Sequence, residues 1–296
     1  MKWLCLMILL LLACNKNPQV KFQNDKVKIN HARAIPNANK PHKPCNRQAI
    51  KAELVDKINS GRNINIHVFV PLCDNQNQGI VPVPVQLGNG LNASNNLYWG
   101  AMYGIKSFFK RDKNWQLVDY NGQLPNSVLE RIVFKRTLPS GSTVHLIADA
   151  YRGDAMKACL NDFLGSARNE IAYLANNQDF KFYSAADLIV FNGHNGLMDV
   201  EMDIKPTSYD YCAKDAMVIA CASKTYFNQH FAQSNAYPLL TTTNLLAPEA
   251  YVLSAAIEAW INLENGEQII DRVAKAYNKY QKCGYNGAKN LFSTAW

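Results

Sequence analysis

Two side chains have the type and setting for nucleophilic chemistry: His194 and Cys221, 27 residues apart. A thiol becomes a nucleophile when an imidazole beside it takes its proton. Each residue closely follows a short apolar block. Leu188–Phe191 runs into Asn192-Gly193-His194-Asn195-Gly196, and Ala216–Ala220 runs into Cys221-Ala222-Ser223. Blocks of that length suit buried strands of a parallel sheet. Two such strands deliver both groups at their carboxyl ends, the edge of an open α/β sheet where sites form. A His and a Cys delivered side by side can make a thiolate–imidazolium pair. Sulfur attack on a carbonyl also needs donors for the oxyanion. The candidates are backbone N–H groups of Asn195, Gly196 and Cys221, with Gly196 lacking a side chain that would block approach.

Other residues share that edge on paper. Asp199 is placed either to orient His194 or to sit as a solvated turn residue. Asp74 and Arg152 follow two further predicted strands, and Thr242, within Thr241–Thr243, ends another. These three are candidate substrate-pocket groups, with Thr241–Thr243 and Asn244 lining the edge or simply packing. A metal reading of His194, Cys212 and Cys221 lacks the short ligand spacing that such sites use, so neither metal nor cofactor is expected. The plain structural alternative is a buried cysteine and a hydrogen-bonded histidine with no chemistry.

The ordered pattern of apolar block, His-x-Gly, spacer, apolar block and Ala-Cys resembles the caspase–gingipain–legumain clan of cysteine peptidases. The matching residues are Leu188–Phe191, His194 with Gly196, Ala216–Ile219 and Ala220-Cys221. The match is specific over about 40 residues, and the strand–helix order fits it over roughly residues 60–265. The resemblance implies a caspase-like three-layer α/β sandwich, with a mostly parallel central sheet and helices on both faces. It also implies a His194–Cys221 dyad acting on peptide bonds. Three features depart from the clan pattern: Asn195 interrupts His-Gly, the spacing is shorter than the roughly 50 residues of caspases, and Ala222-Ser223 follows the cysteine. Aspartate specificity therefore does not carry over. The expected activity is a cysteine endopeptidase. The alternatives are a catalytically inactive caspase-like surface lipoprotein that binds a partner, and another thiol acyl hydrolase acting on envelope peptides.

Such a pair needs a scaffold, and the chain reads as one. Gln48–Ser60 has helical spacing, and Asn63–Leu72 reads as a first central strand. Residues 74–96 are loop-like, rich in Asn, Gly and Pro. Asn96 opens a predicted helix with Trp99, Met102, Tyr103, Ile105 and Phe109 inward. Trp115–Tyr120, Leu129–Thr137 and Thr143–Ala150 read as strands. Asp154 is placed to cap a helix with Met156, Leu160, Phe163 and Leu164, continuing through or restarting near Tyr173. Tyr237–Thr243 reads as a strand, Ala247-Pro248-Glu249 as a helix start, and Gly266 precedes a last helix. Alternating strands and helices imply one parallel-rich domain from 48 to 296.

Charge and the N-terminus set the context. The 296 residues are 48% apolar and 18% charged, with a net charge of +8. Residues 15–47 hold eight basic side chains and one acid, and Lys2 adds one more, so the remainder is electroneutral. A neutral domain gives no reason to expect nucleic-acid binding. Trp3–Ala13 is an apolar run of 11 residues, too short to span a bilayer but right for a signal-peptide core. Leu11-Leu12-Ala13-Cys14 resembles a bacterial lipobox. That implies a signal peptide over 1–13, lipidation (palmitate) at Cys14 and a membrane-anchored lipoprotein of the cell envelope. Residues 14–47 read as a flexible basic tether. Export permits disulfides. With Cys221 free, Cys45, Cys73, Cys159, Cys212 and Cys283 allow at most two.

Overall fold

The computed structural model describes residues 47–172, 180–205 and 213–295. The expected signal peptide, nearly all of the tether, Cys14, Cys45, Tyr173 and Cys212 lie outside them. The first elements are α1 (Arg47–Asn59), β1 (Ile64–Pro71), α2 (Ile105–Arg111), β2 (Gln116–Val118), β3 (Val128–Thr137), β4 (Thr143–Tyr151) and α3 (Met156–Ala167). After these come β5 (Leu188–Asn192), β6 (Lys214–Ile219), α4 (Ser223–Ala232), β7 (Ala236–Thr242) and α5 (Ala250–Ile261). The chain closes with α6 (Gly266–Gln281), α7 (Tyr285–Lys289) and β8 (Phe292–Ser293).

The strands form one eight-stranded sheet in the order β2-β3-β4-β1-β5-β6-β7-β8. β4, β1, β5, β6 and β7 run parallel, while β2, β3 and β8 add antiparallel borders. Every residue of β1, β5 and β6 is buried. That is the signature of strands covered on both faces. Alternate residues feed two cores. Leu188 and Val190 of β5 join one with Ile105, Phe109, Trp260 and Val273, from α2, α5 and α6. Ile189 and Phe191 join the other with Leu160, Phe163 and Phe227, from α3 and α4. The result is a three-layer α/β arrangement.

Helix α1 lies across the amino-terminal edge of the sheet. Lys57 Nζ reaches Asp187 Oδ1 at 2.5 Å, just before β5. Arg47 pairs with Asp215 near the start of β6, with Nε–Oδ1 at 3.1 Å. Ser142, just before β4, donates to the Lys57 and Ile58 carbonyls.

Several expectations change. No helix opens at Asn96. That side chain is spent on the backbone: Oδ1 accepts from Cys73 N at 2.9 Å and Nδ2 donates to Cys73 O at 2.8 Å, which holds the following residues in turns until Ile105. Met102 is exposed rather than inward. Asp154 does not cap α3: it sits in a short turn and its carboxylate pairs with Arg152. Pro248 precedes α5 rather than entering it, with Glu249 as the N-cap. Helix α4, helix α7 and strand β8 were not expected. No described helix is long and apolar enough to cross a membrane.

Candidate active site

β5 and β6 are adjacent and parallel, with Asn192 opposite Ile219. His194 and Cys221 each lie two residues beyond that pair, so matching positions of neighbouring strands carry the imidazole and the thiol to one edge. The backbone turns sharply after each strand. Gly193 has φ +155° and sits against Pro71, where a Cβ would be crowded. Ala222 adopts the left-handed conformation at φ 47°, a strained choice for a residue with a Cβ. It turns the chain from the end of β6 into α4 and leaves Cys221 just ahead of a helix N-terminus, a setting that favours a thiolate.

His194 is buried, and its Nε2 lies 2.7 Å from Asp199 Oδ2. Asp199 also accepts the Gly79 N–H at 3.1 Å. Burial pushes the Asp199 carboxyl up, but the hydrogen bond and charge of His194 and the Gly79 N–H outweigh it and hold the carboxyl below its ordinary range. An ionised Asp199 fixes the proton on Nε2, so Nδ1 carries the basic lone pair. Nδ1 has no hydrogen-bond partner among the described residues. Asp199 is thus the orienting group, and Gly79 orients Asp199 in turn.

Asn195 ties the two strand ends together. It is fully buried, its Nδ2 donates to Cys221 O at 2.7 Å, and its Oδ1 accepts Leu197 N–H at 3.1 Å. Nearby, Ala222 N–H goes to Asn244 O and Ser223 N–H to Thr242 Oγ1. Among the described residues, neither the Asn195 nor the Cys221 N–H donates a hydrogen bond to another residue. Gly196 is glycine for a different reason than expected. A Cβ there would strike Met156 on α3.

Cys221 is half-buried, and its thiol is at rest. Sγ donates to Leu246 O at 3.6 Å, and no bond joins it to His194. Burial pushes its pKa up, only partly offset by the Leu246 carbonyl contact and its own N–H. A thiolate–imidazolium pair, which the two residues could form, is therefore not formed in this structure. Removing a thiolate from water costs more here than the polar contacts return.

The three pocket candidates serve other ends. Asp74 is buried and accepts from Gln76 N, Asn77 N and Asn77 Nδ2, the last at 2.8 Å, shaping its own turn. Thr242 is fully buried and bonds to Ser223 Oγ at 3.0 Å and to Ala220 O. Arg152 is exposed but neutralised by Asp154, Nη2–Oδ2 2.7 Å. Two cavities, of about 90 Å³ around Lys157 and Arg168 and about 210 Å³ around Lys113 and Lys135, are lined by none of the site residues. Among the described residues no group of His, Cys, Asp or Glu could hold a metal. Cys73 and Cys159 are buried and free, and Cys283 is disulfide-bonded.

Sequence reasoning misses Gly79 and Leu246. Both contribute backbone atoms, which carry no residue signature. A scan against protein-family models and searches of curated proteins and of solved structures return no match to the chain.

Proposed function

We propose that the chain is a caspase-like cysteine endopeptidase, anchored in the cell envelope through lipidated Cys14. The observation that carries this reading is the parallel register of β5 and β6, which brings His194 and Cys221 to equivalent places on one edge. On a bound peptide the thiol turns from Leu246 O toward His194. Nδ1 takes the thiol proton as sulfur bonds to the scissile carbonyl carbon. The carbonyl oxygen becomes an oxyanion held by the N–H groups of Cys221, Asn195 and Gly196. Collapse expels the amine, which takes the proton from Nδ1, and a thioester remains. His194 then deprotonates a water that attacks the thioester, and the released thiol regains its proton. Asp199 keeps the imidazole oriented.

A second reading has an observation of its own. The thiol's bond to Leu246 O, without an imidazole partner, fits an inactive surface lipoprotein that uses the edge to bind another protein. Alkylation separates the two. Under the peptidase reading a peptidyl electrophile labels Cys221 in the full chain, and His194→Ala slows that labelling at least tenfold. Iodoacetamide, which makes no use of the site, reacts slowly with both proteins because the resting thiol pKa is raised. A peptidyl electrophile that ignores the loss of His194 sinks the peptidase reading.

The placement of α1 bears on the anchor. Arg47 meets the sheet at its amino-terminal edge, so the segment before it joins the domain opposite the His194–Cys221 edge. A tether there holds the site away from a membrane by about the length of a strand, roughly 25 Å.

A further inference from the structure

Three exposed apolar side chains lie within two residues of groups that hold His194 and Cys221 in place. Leu245 is 53% exposed and precedes Leu246, whose carbonyl accepts the Cys221 thiol. Met198 is 37% exposed and precedes Asp199, which holds His194. Val81 is 52% exposed and stands two residues after Gly79, which donates to Asp199. They come from three loops, after β7, β5 and β1, and all three loops leave the carboxyl edge. Large apolar side chains left in water around a buried polar centre mark a surface awaiting an apolar partner.

The charge on this rim points the same way. Residues 74–104 contain one ionisable acid or base apart from tyrosine, Asp74, and it is buried in its own turn. Residues 243–249 contain only Glu249, also buried. Asp199 is committed to His194 and Gly79, and Arg152 to Asp154. None of these leaves an unpaired charge to greet a basic or acidic substrate side chain, and Glu201, Asp203 and Lys205, exposed farther along the loop after β5, line a separate cavity with Lys157 and Arg168. Burying either against Val81, Met198 and Leu245 would cost its hydration with no counter-ion in return.

We infer that the residue on the acyl side of the scissile bond is apolar and uncharged, of leucine or methionine size, and is received by Val81, Met198 and Leu245. This rests on the thiol acyl-transfer reading. It specifies a substrate class: extended peptide segments with a bulky aliphatic residue at the cleavage point.

The test uses three peptidyl chloromethyl ketones that differ only in a terminal leucine, lysine or aspartate. In each the sulfur displaces chloride to form a thioether, and the thiol proton passes to His194 and then to solvent. Labelling of the full chain is followed by intact mass, with the modified residue mapped to Cys221. The leucine probe labels at least tenfold faster than the other two. Leu245→Lys, at an exposed position that folding does not need, cuts that preference several-fold and raises the aspartate rate. Equal rates for all three, or a faster lysine or aspartate probe, overturn the apolar subsite while leaving the thiol chemistry standing. If no probe labels Cys221, the acyl-transfer reading itself falls.

Discussion

Replacing Asn195 by Ala removes a side chain that hydrogen-bonds the His194 turn to the Cys221 turn. Two bonds disappear, from Nδ2 to Cys221 O at 2.7 Å and from Leu197 N to Oδ1 at 3.1 Å. The site is fully buried, so each orphaned partner costs about 1–3 kcal/mol. Cys221 is half-buried and its carbonyl recovers part of that from water, giving a total loss of about 2–4 kcal/mol. A domain of this size loses about 2–4 °C in melting temperature per kcal/mol, so the expected drop is roughly 4–16 °C. Asn195→Asp dissects the pair. A carboxylate still accepts Leu197 N–H, but it cannot donate to Cys221 O and repels it. The acid form can donate, so folding raises this carboxyl's pKa above its unfolded value. The native state then binds the extra proton, and stability falls as pH rises between the two values. Melts followed by circular dichroism at pH 4 and pH 8 check this. Asn195→Asp approaches the parent at pH 4 and falls well below it at pH 8. The leucine probe reports function, and a misplaced thiol lowers its rate by up to about a hundredfold. If Asn195→Ala melts within a degree of the parent, or if Asn195→Asp shows no pH dependence relative to it, the tie between the turns is not what the geometry says.

Two predictions concern buried charge. Burial pushes Glu249 up to about 7, against bonds to Tyr251 and Gln281 that lower it. A raised folded pKa means stability is lost as pH climbs from the ordinary carboxyl range to about 7, by at most about 3 kcal/mol. Glu249→Gln should match the parent at pH 4 and exceed it at pH 8 in urea unfolding, and a constant offset across that range contradicts the assignment. Asp149 is fully buried between Arg131, which bonds it twice at 2.6 Å, and His67 at 3.1 Å. Burial raises its pKa, but Arg131 and His67 outweigh that and bring it down to about 2. Its contribution is therefore full above the ordinary carboxylate range and is lost as pH falls through about 2. Arg131→Met should cost about 3–5 kcal/mol at pH 7 by stranding that charge, and adding Asp149→Asn should restore part of it. A double variant no more stable than the single one refutes the stranded-charge account.

The central strands were readable because burial on both faces leaves them almost continuously apolar: Leu188–Phe191 and Ala216–Ile219 lie inside β5 and β6. Helix α4 was hidden because Ser223–Ala232 carries Lys224, Asn228, Gln229 and His230 among few apolar residues, so its periodicity is weak. What forms it is tertiary: Ser223 Oγ bonds to Val218 O and Thr242 Oγ1, while Phe227 and Phe231 pack under β5. The helix expected at Asn96 failed for the converse reason. Its apolar spacing was real, since Trp99, Ile105 and Phe109 are buried, but a buried amide bonded to the end of β1 took the chain into turns first. Reading the strand ends put His194 and Cys221 beyond adjacent strands, as the register of β5 and β6 has them, whereas Asp74 and Thr242 are spent on their own turns. Polar side chains at such ends serve the turn itself as often as any ligand.

The resting thiol and the proposed chemistry are reconciled by the same physics that defines the rim. With Sγ turned to Leu246 O and burial disfavouring the thiolate, Cys221 is protected from small electrophiles and oxidants, which react with the anion. Leu245 and Leu246 belong to one short segment, held by Thr243 N to Leu291 O and by Ala247 N to Tyr277 Oη at 3.0 Å. Under the peptidase reading, an apolar residue settling on Leu245 would press on the segment whose carbonyl retains the thiol. Substrate binding and release of the thiol toward His194 would then be one event, with the binding energy of an apolar side chain offsetting the cost of charging the sulfur. A charged side chain would fail twice, finding no partner on the rim and leaving the thiol against Leu246.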